Sequence, residues 1–213
     1  MKIGIIGASG KAGRLIMQEA LQRGHNVAAI VRNASKVEDQ QVQILEKNIF
    51  DLKSEDIKEY DVVVNAFNAP FGEEHQHVEA GKVLIEALKG ASETKLVVVG
   101  GAGSLFVDEA QTTRLMDTPE FPKEIYPTAS NAGKNLEDLQ NTSGMQWTYI
   151  SPAAFFNPDG KRTGTYQKGK DQLIVNSEGE SYVSYADFAI AVLDEIENPQ
   201  HLNERFTVIS EKE

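Results

Sequence analysis

The chain has 213 residues, 40% hydrophobic and 25% charged, an ordinary balance for a globular protein. Its 21 Lys and Arg stand against 32 Asp and Glu, a formal charge of −11, and no basic run is present, which argues against nucleic acid as a partner. With no cysteine, disulfides, thiolate nucleophiles and cysteine-ligated metal centres are excluded.

The first residues, MKIGIIGASG, begin a structured pattern at once, without the layout of a secretory signal. The longest apolar runs fall far short of the roughly 20 residues a membrane helix needs. A cytoplasmic protein with no membrane partner is expected, as a monomer or homodimer.

Short apolar runs alternate with longer amphipathic stretches. Strands are expected at Ile3–Ile6, Val27–Val31, Val42–Leu45, Val62–Ala66, Leu96–Val99, Trp147–Ile150, Leu173–Val175 and Phe206–Ile209. Most are rich in Val and Ile without strict alternation, as strands buried on both faces of a parallel sheet read. Helices are expected at Lys11–Arg23, His75–Lys89, Asn131–Asn141 and Ser184–Asn198, with a weaker one at Ser54–Glu59. Ser184 and Asp187 have capping-box spacing at the start of the fourth. The alternation predicts an α/β, Rossmann-type, doubly wound and mostly parallel sheet with helices on both faces. No Pro/Ser-rich linker interrupts the chain, so one NAD(P)-binding domain over residues 1–213 is expected. A small substrate-side region would come from loops around 104–130 and 153–183. Two long irregular stretches, 108–127 and 157–170, belong to it.

The motif with most chemical content is Gly7-Ala8-Ser9-Gly10-Lys11-Ala12-Gly13, between the first strand and the first helix. Gly7 permits a tight turn, Gly10 a close backbone approach to pyrophosphate, and Gly13 the packing of helix on sheet. The helix N-terminus offers free N–H donors and a positive dipole end. Ser9 adds a hydroxyl and Lys11 a charge. Folds specific for NAD place an acid about 20 residues beyond this turn, to bind the ribose 2′-hydroxyl. Here Arg32 stands 19 residues after Gly13, with Asn33, Ser35 and Lys36 following. A guanidinium suits a 2′-phosphate, so NADP(H) is favoured over NAD(H). Later strand ends supply further expected cofactor contacts. These are Asn48 and Ile49, then Ala66, Phe67 and Asn68, then Gly100 and Gly101 in the run that continues to Ser104.

The run GIIGASGKAGRLIMQEALQRGHNVAAIVRN resembles the start of the NAD(P)H-binding, NmrA-like group of atypical short-chain dehydrogenases/reductases. Val98-Val99-Gly100-Gly101, Tyr149-Ile150-Ser151-Pro152 and Ser184-Tyr185-Ala186-Asp187 extend the likeness over nearly the whole chain. Within the group, the chain is similar to bacterial NADH-flavin reductases and to the biliverdin reductase B/flavin reductase type. The resemblance implies that Gly7, Ser9, Gly10, Lys11, Ala12 and Gly13 form the phosphate turn. It implies that Arg32 and Lys36 hold the 2′-phosphate, and that Pro152, Ala153 and Phe155 pack near the nicotinamide.

The wider superfamily carries Tyr-x-x-x-Lys, and the corresponding run here is Ser130-Asn131-Ala132-Gly133-Lys134. Lys134 and Ser130 are thus the catalytic candidates, although Ser is a poor general acid. Tyr126, four residues earlier, is expected on a Pro-bounded turn. This departure argues against carbonyl reduction and leaves NADPH-dependent hydride transfer to a flavin, quinone or similar electron-poor small molecule. Flavin would then be substrate, not prosthetic group. The alternative is a non-catalytic NADP(H) sensor. Phe67, Phe71, Phe155 and Phe156 are candidate walls of the acceptor site. His75 and His77 are read as a solvated helix start, and no metal site is expected.

Overall fold

The computed structural model describes residues 1–39 and 41–213. The chain opens with β1 (Lys2–Ile6), α1 (Lys11–Gln22) and β2 (Asn26–Val31). Next come β3 (Gln43–Glu46), a single helical turn α2 (Ser54–Ile57), β4 (Val62–Asn65), α3 (Gln76–Lys89) and β5 (Lys95–Val99). The remainder is α4 (Tyr126–Gln140), β6 (Trp147–Ser151), β7 (Phe155–Asn157), β8 (Gln167–Gly169), β9 (Tyr182–Ser184), α5 (Tyr185–Glu197) and β10 (Glu204–Ile209). Among the described residues these strands form an eight-stranded sheet in the order β3-β2-β1-β4-β5-β6-β10-β8 and a small β7-β9 pair. Every pairing in the large sheet is parallel except β10 with β8.

Side-chain alternation divides the core between the two faces of this sheet. Ile3, Ile5, Val27, Ala29, Val62 and Val64 join Ile16 and Met17 of α1 and Phe188 and Leu193 of α5. Ile6, Ile30 and Val63 join Leu84 and Leu88 of α3 and Leu136 and Leu139 of α4. Both faces are thus apolar, which is why the strands read as continuous Val/Ile runs. No helix among the described residues is long and apolar enough to cross a membrane.

The structure corrects four local expectations. Leu173–Val175 is not a strand: Val175 is exposed and Ile174 packs on Gly169 beside the core. The edge strand is β8, whose Gln-Lys-Gly sequence has no apolar signal because it is largely solvated. The third long helix starts at Tyr126, not Asn131, with Pro127 in its first turn, where a missing N–H costs nothing. Tyr126 is therefore helical. Finally, Ser184 caps α5 by accepting from the Asp187 N–H at 3.0 Å, but the reciprocal half of the capping box is absent. The fully buried Asp187 carboxylate instead accepts from the Thr163 and Gly164 N–H groups, both at 2.9 Å, and from the Thr163 hydroxyl. It thereby anchors the loop that follows β7.

Candidate dinucleotide and acceptor site

The strand order reverses direction between β1 and β4, and ligands of open α/β sheets bind in the crevice at such a point. The Gly7–Gly13 turn leaves β1 there, and Ala66–Asn68 leaves β4 beside it. Gly7 has φ +75°, and a Cβ on it would lie 2.6 Å from the Ala66 carbonyl oxygen. A Cβ on Gly13 would lie 2.2 Å from the Gly7 oxygen. Both glycines are therefore required by the fold itself. A Cβ on Gly10 would meet only the Gly7 oxygen at 3.2 Å, a mild crowding. Gly10 is the N-cap of α1, makes no side-chain cap, and is followed by a first turn without acids. The N–H donors at this helix start remain available to an anion.

Two cavities meet at the turn, sharing Gly10, Ala66, Phe67 and Asn68. The smaller, about 290 Å³, is lined by Gly7, Ser9, Arg32, Lys47 and Ile49 among others. Arg32 is exposed and makes no ion pair among the described residues. Lys47, which sequence reasoning missed, lies one residue before the Asn48 that was expected here. It is held by Asp56 at 2.6 Å. The signal available was a cation at the end of the third strand. Asn33, Asn48 and Lys36 do not line this cavity. The two Asn side chains are spent locally: Asn33 accepts from the Ser35 N–H at 2.9 Å and Asn48 from the Phe50 N–H at 3.3 Å. Lys36 is exposed beyond them.

The larger cavity, about 600 Å³, extends from Gly10, Lys11 and Ala12 past Gly100 and Gly101 to Pro152, Ala153, Phe156 and Tyr185. Tyr149, fully enclosed beneath it, accepts from the Gly101 N–H at 3.3 Å and donates to the Ala132 carbonyl at 3.2 Å. Burial pushes its phenol up to about 12, so it stays a hydrogen-bonding strut. Gly100 has to be glycine because a Cβ would fall 2.1 Å from the Tyr149 ring. Buried Arg205 of β10 holds the same loop from the other end. Its Nη1 donates to the Ser104 hydroxyl at 3.1 Å and its Nε to Asp171 at 2.6 Å. The sequence signal for this clamp was an Arg directly before the run Phe206–Ile209 of β10.

Two of the four expected wall residues do not line the cleft. Alternation along β7 sends Phe156 into the cleft, where it lies against Tyr185 with ring centroids 3.9 Å apart. Phe155 is exposed and packs on Tyr182 instead, and it does not line the cleft. Phe71 is 86% exposed and does not line it either. Phe67 does, edge-on to His77 at 5.9 Å. His75 is exposed as read, but His77 is half-buried on the cleft wall. Burial lowers the His77 pKa, with Glu74 opposing, and its Nε2 accepts from the Ala69 N–H at 3.4 Å.

The expected catalytic pair is not brought to the cleft. The face of α4 that lines it, with the residue just before the helix, carries Ile125, Thr128, Ala129, Ala132 and Asn135. Ser130 and Lys134 fall off that stripe, and Lys134 is exposed. The positions spaced four apart on the cleft face hold Ile125 with Ala129 and Thr128 with Ala132, so neither pair supplies a Tyr and a Lys.

Residues 7–199 match the model of a family described as NAD(P)H-binding. The Bacillus subtilis (strain 168) protein YwnB is 70% identical over 213 residues, with both chains covered in full. A solved structure from Streptococcus pneumoniae TIGR4, provisionally titled an NADH-flavin reductase, is 40% identical with a TM-score of 0.94. That match covers 99% of this chain and 100% of the other. A Bacteroides thetaiotaomicron structure, provisionally titled an epimerase, is 35% identical with a TM-score of 0.88. It covers 100% of this chain and 99% of its own.

Proposed function

Because the chain belongs to the NAD(P)H-binding family, we propose that it is an NADPH-dependent oxidoreductase that passes a hydride to a flavin, quinone or similar electron-poor ring. One observation carries this reading: a cavity lined by a guanidinium with no ion pair among the described residues runs, through the glycine turn, into an aromatic-lined cleft. The residues fit the cofactor by their chemistry. Arg32, with Lys47 beside it, suits a 2′-phosphate, and the uncapped start of α1 suits the pyrophosphate. When bound, the reduced nicotinamide supplies the hydride.

The chain's own contribution is positioning. Tyr149 and Arg205 fix the Gly100–Ser104 loop beside the expected nicotinamide. The segments 104–130 and 153–183 supply the acceptor side and exclude water with Leu115, Phe121 and Phe156. Holding two rings near contact supplies much of the acceleration for such a transfer. An electron-poor acceptor takes its proton from solvent, so the lack of a Tyr/Lys pair on the cleft face of α4 is tolerated.

That same lack favours a second reading, an NADP(H)-binding regulatory protein without turnover. NADPH oxidation followed with flavins and a small quinone separates the two. Saturable turnover supports the enzyme. Tight NADPH binding with no turnover for any acceptor sinks it in favour of the sensor.

A further inference from the structure

The part of the large cleft that the Arg32 cavity does not share has a distinct chemical character. Leu115, Phe121 and Ile125 reach it from the segment after β5, and Phe156 and Tyr185 from the segments after β6 and β9. Among the described residues lining the cleft, Lys11 is the one cation, and it belongs to the phosphate turn.

The flanking segments reinforce this. Residues 66–79 carry Glu73, Glu74 and Glu79 and no Lys or Arg. Residues 114–126 carry Glu120 and Glu124 against Lys123, with Arg114 and Asp117 paired to each other at 2.7 Å. Arg114, next to the cleft-lining Leu115, is thus already engaged by an acid.

We propose that this cleft takes an uncharged planar aromatic acceptor, such as riboflavin or a quinone without an anionic tail, and discriminates against the phosphorylated counterpart FMN. The choice of ring rests on the hydride-transfer reading, whereas the charge selectivity is a property of the walls. An apolar ring displaces water from Leu115, Phe121 and Phe156. A phosphate on its tail would lose hydration against a wall with no cation to replace it. If it projected outward, it would lie beside flanking segments that carry more acids than bases. His77 and Tyr185 do not change this, because burial holds the first neutral by lowering its pKa and the second neutral by raising it.

The test is direct binding of riboflavin and FMN to the full chain saturated with NADP+, read by quenching of flavin fluorescence. Riboflavin is expected to bind at least about tenfold more tightly than FMN at low salt, with the gap narrowing as salt screens the acids of the flanking segments. Equal or tighter FMN binding, or no quenching by either flavin, overturns the proposal. Ile125 is 51% exposed, so Ile125→Lys is accommodated by the fold, and it should narrow the gap by tightening FMN. An equal effect on both flavins would overturn it too. Turnover is scored separately: riboflavin that binds but is not reduced by NADPH sinks the hydride-transfer reading and leaves the charge selectivity standing.

Discussion

The phosphate end and the acceptor end of this site are built on different principles. The phosphate end is backbone: a positive φ at Gly7, a helix start without a cap, and glycines whose added Cβ would strike the main chain. The acceptor end is side chains, brought together from the segments around 115–129, 152–156 and 185. Backbone constraints tolerate few sequences, whereas an aromatic wall tolerates many. The first end therefore fixes what class of ligand is held, and the second end is free to set which acceptor meets it.

The glycines give the sharpest way to break that contrast. Gly13→Ala forces a Cβ onto the Gly7 carbonyl and is expected to destabilise the fold by about 3 kcal/mol, read by urea denaturation. Gly10→Ala crowds its neighbour only mildly and should cost under about 1 kcal/mol of stability. It should nevertheless weaken nicotinamide binding at least about tenfold, since the methyl stands where the pyrophosphate approaches. Equal stability losses in the two variants would show that Gly10 is structural, not ligand-facing.

Arg32 tests the same end by charge. Arg32→Ala is expected to lower NADPH affinity about 30-fold, from loss of roughly 2 kcal/mol of charge-assisted hydrogen bonding. NADH affinity should fall less than about threefold. Comparable losses for both cofactors would move the 2′-phosphate contact to Lys47 or remove the preference altogether.

How far each end could be read from the sequence follows from the same contrast. Gly7 and Gly13 are legible because sterics leave no substitute, and β1, β2, β4 and β5 because burial on both faces demands Val and Ile. The place of Arg32 on the smaller cavity was legible by its distance from the turn. Phe156 and Phe155 are adjacent aromatics, and only the pleat of β7 tells which one enters the cleft. Asn33 and Asn48 looked like ligand contacts because Asn is polar, yet each caps a short turn of its own chain. Strand β8 left no apolar trace because an edge strand in water has nothing to bury. Lys47 and Arg205 are cations whose roles depend on partners 9 and 34 residues away, which periodicity does not report.

His77 gives a smaller effect on the acceptor wall. Its folded pKa lies below the ordinary 6.5 because of burial, with Glu74 opposing. Above pH 6.5 both folded and unfolded chains hold it neutral, and its contribution to stability is fully present. Below that, the unfolded state binds a proton the folded state refuses, so stability falls until the pH drops through the folded value. His77→Gln should flatten this part of the pH profile of urea midpoints, whatever offset the lost ring contacts cause above it. An unaltered acid slope would assign the dependence to other groups.

The smallest expected effect is also the one that most directly tests the acceptor end. Helical periodicity puts residues 125, 128, 129, 132 and 135 on the cleft face of α4 and its start. Lys134 follows Ala132 by two positions, which turns its side chain away and leaves it in solvent. Ser130 sits beside Ala129 but off the stripe. Lys134→Met and Ser130→Ala are accordingly expected to leave NADPH affinity and acceptor turnover within about twofold of the parent, as surface substitutions generally do. Phe156→Ala, by contrast, should raise the acceptor KM several-fold, because it removes a ring from the wall itself. If Lys134→Met abolished turnover while NADPH still bound, the helix would have to rotate or shift on ligand binding. The cleft would then acquire the acid–base pair that its side-chain wall now lacks, and the acceptor could extend to carbonyls. If both variants stay active, the acceptor end works by shape and polarity alone, and the division between a backbone-built phosphate end and a side-chain-built acceptor end holds for the chemistry as well as for the binding.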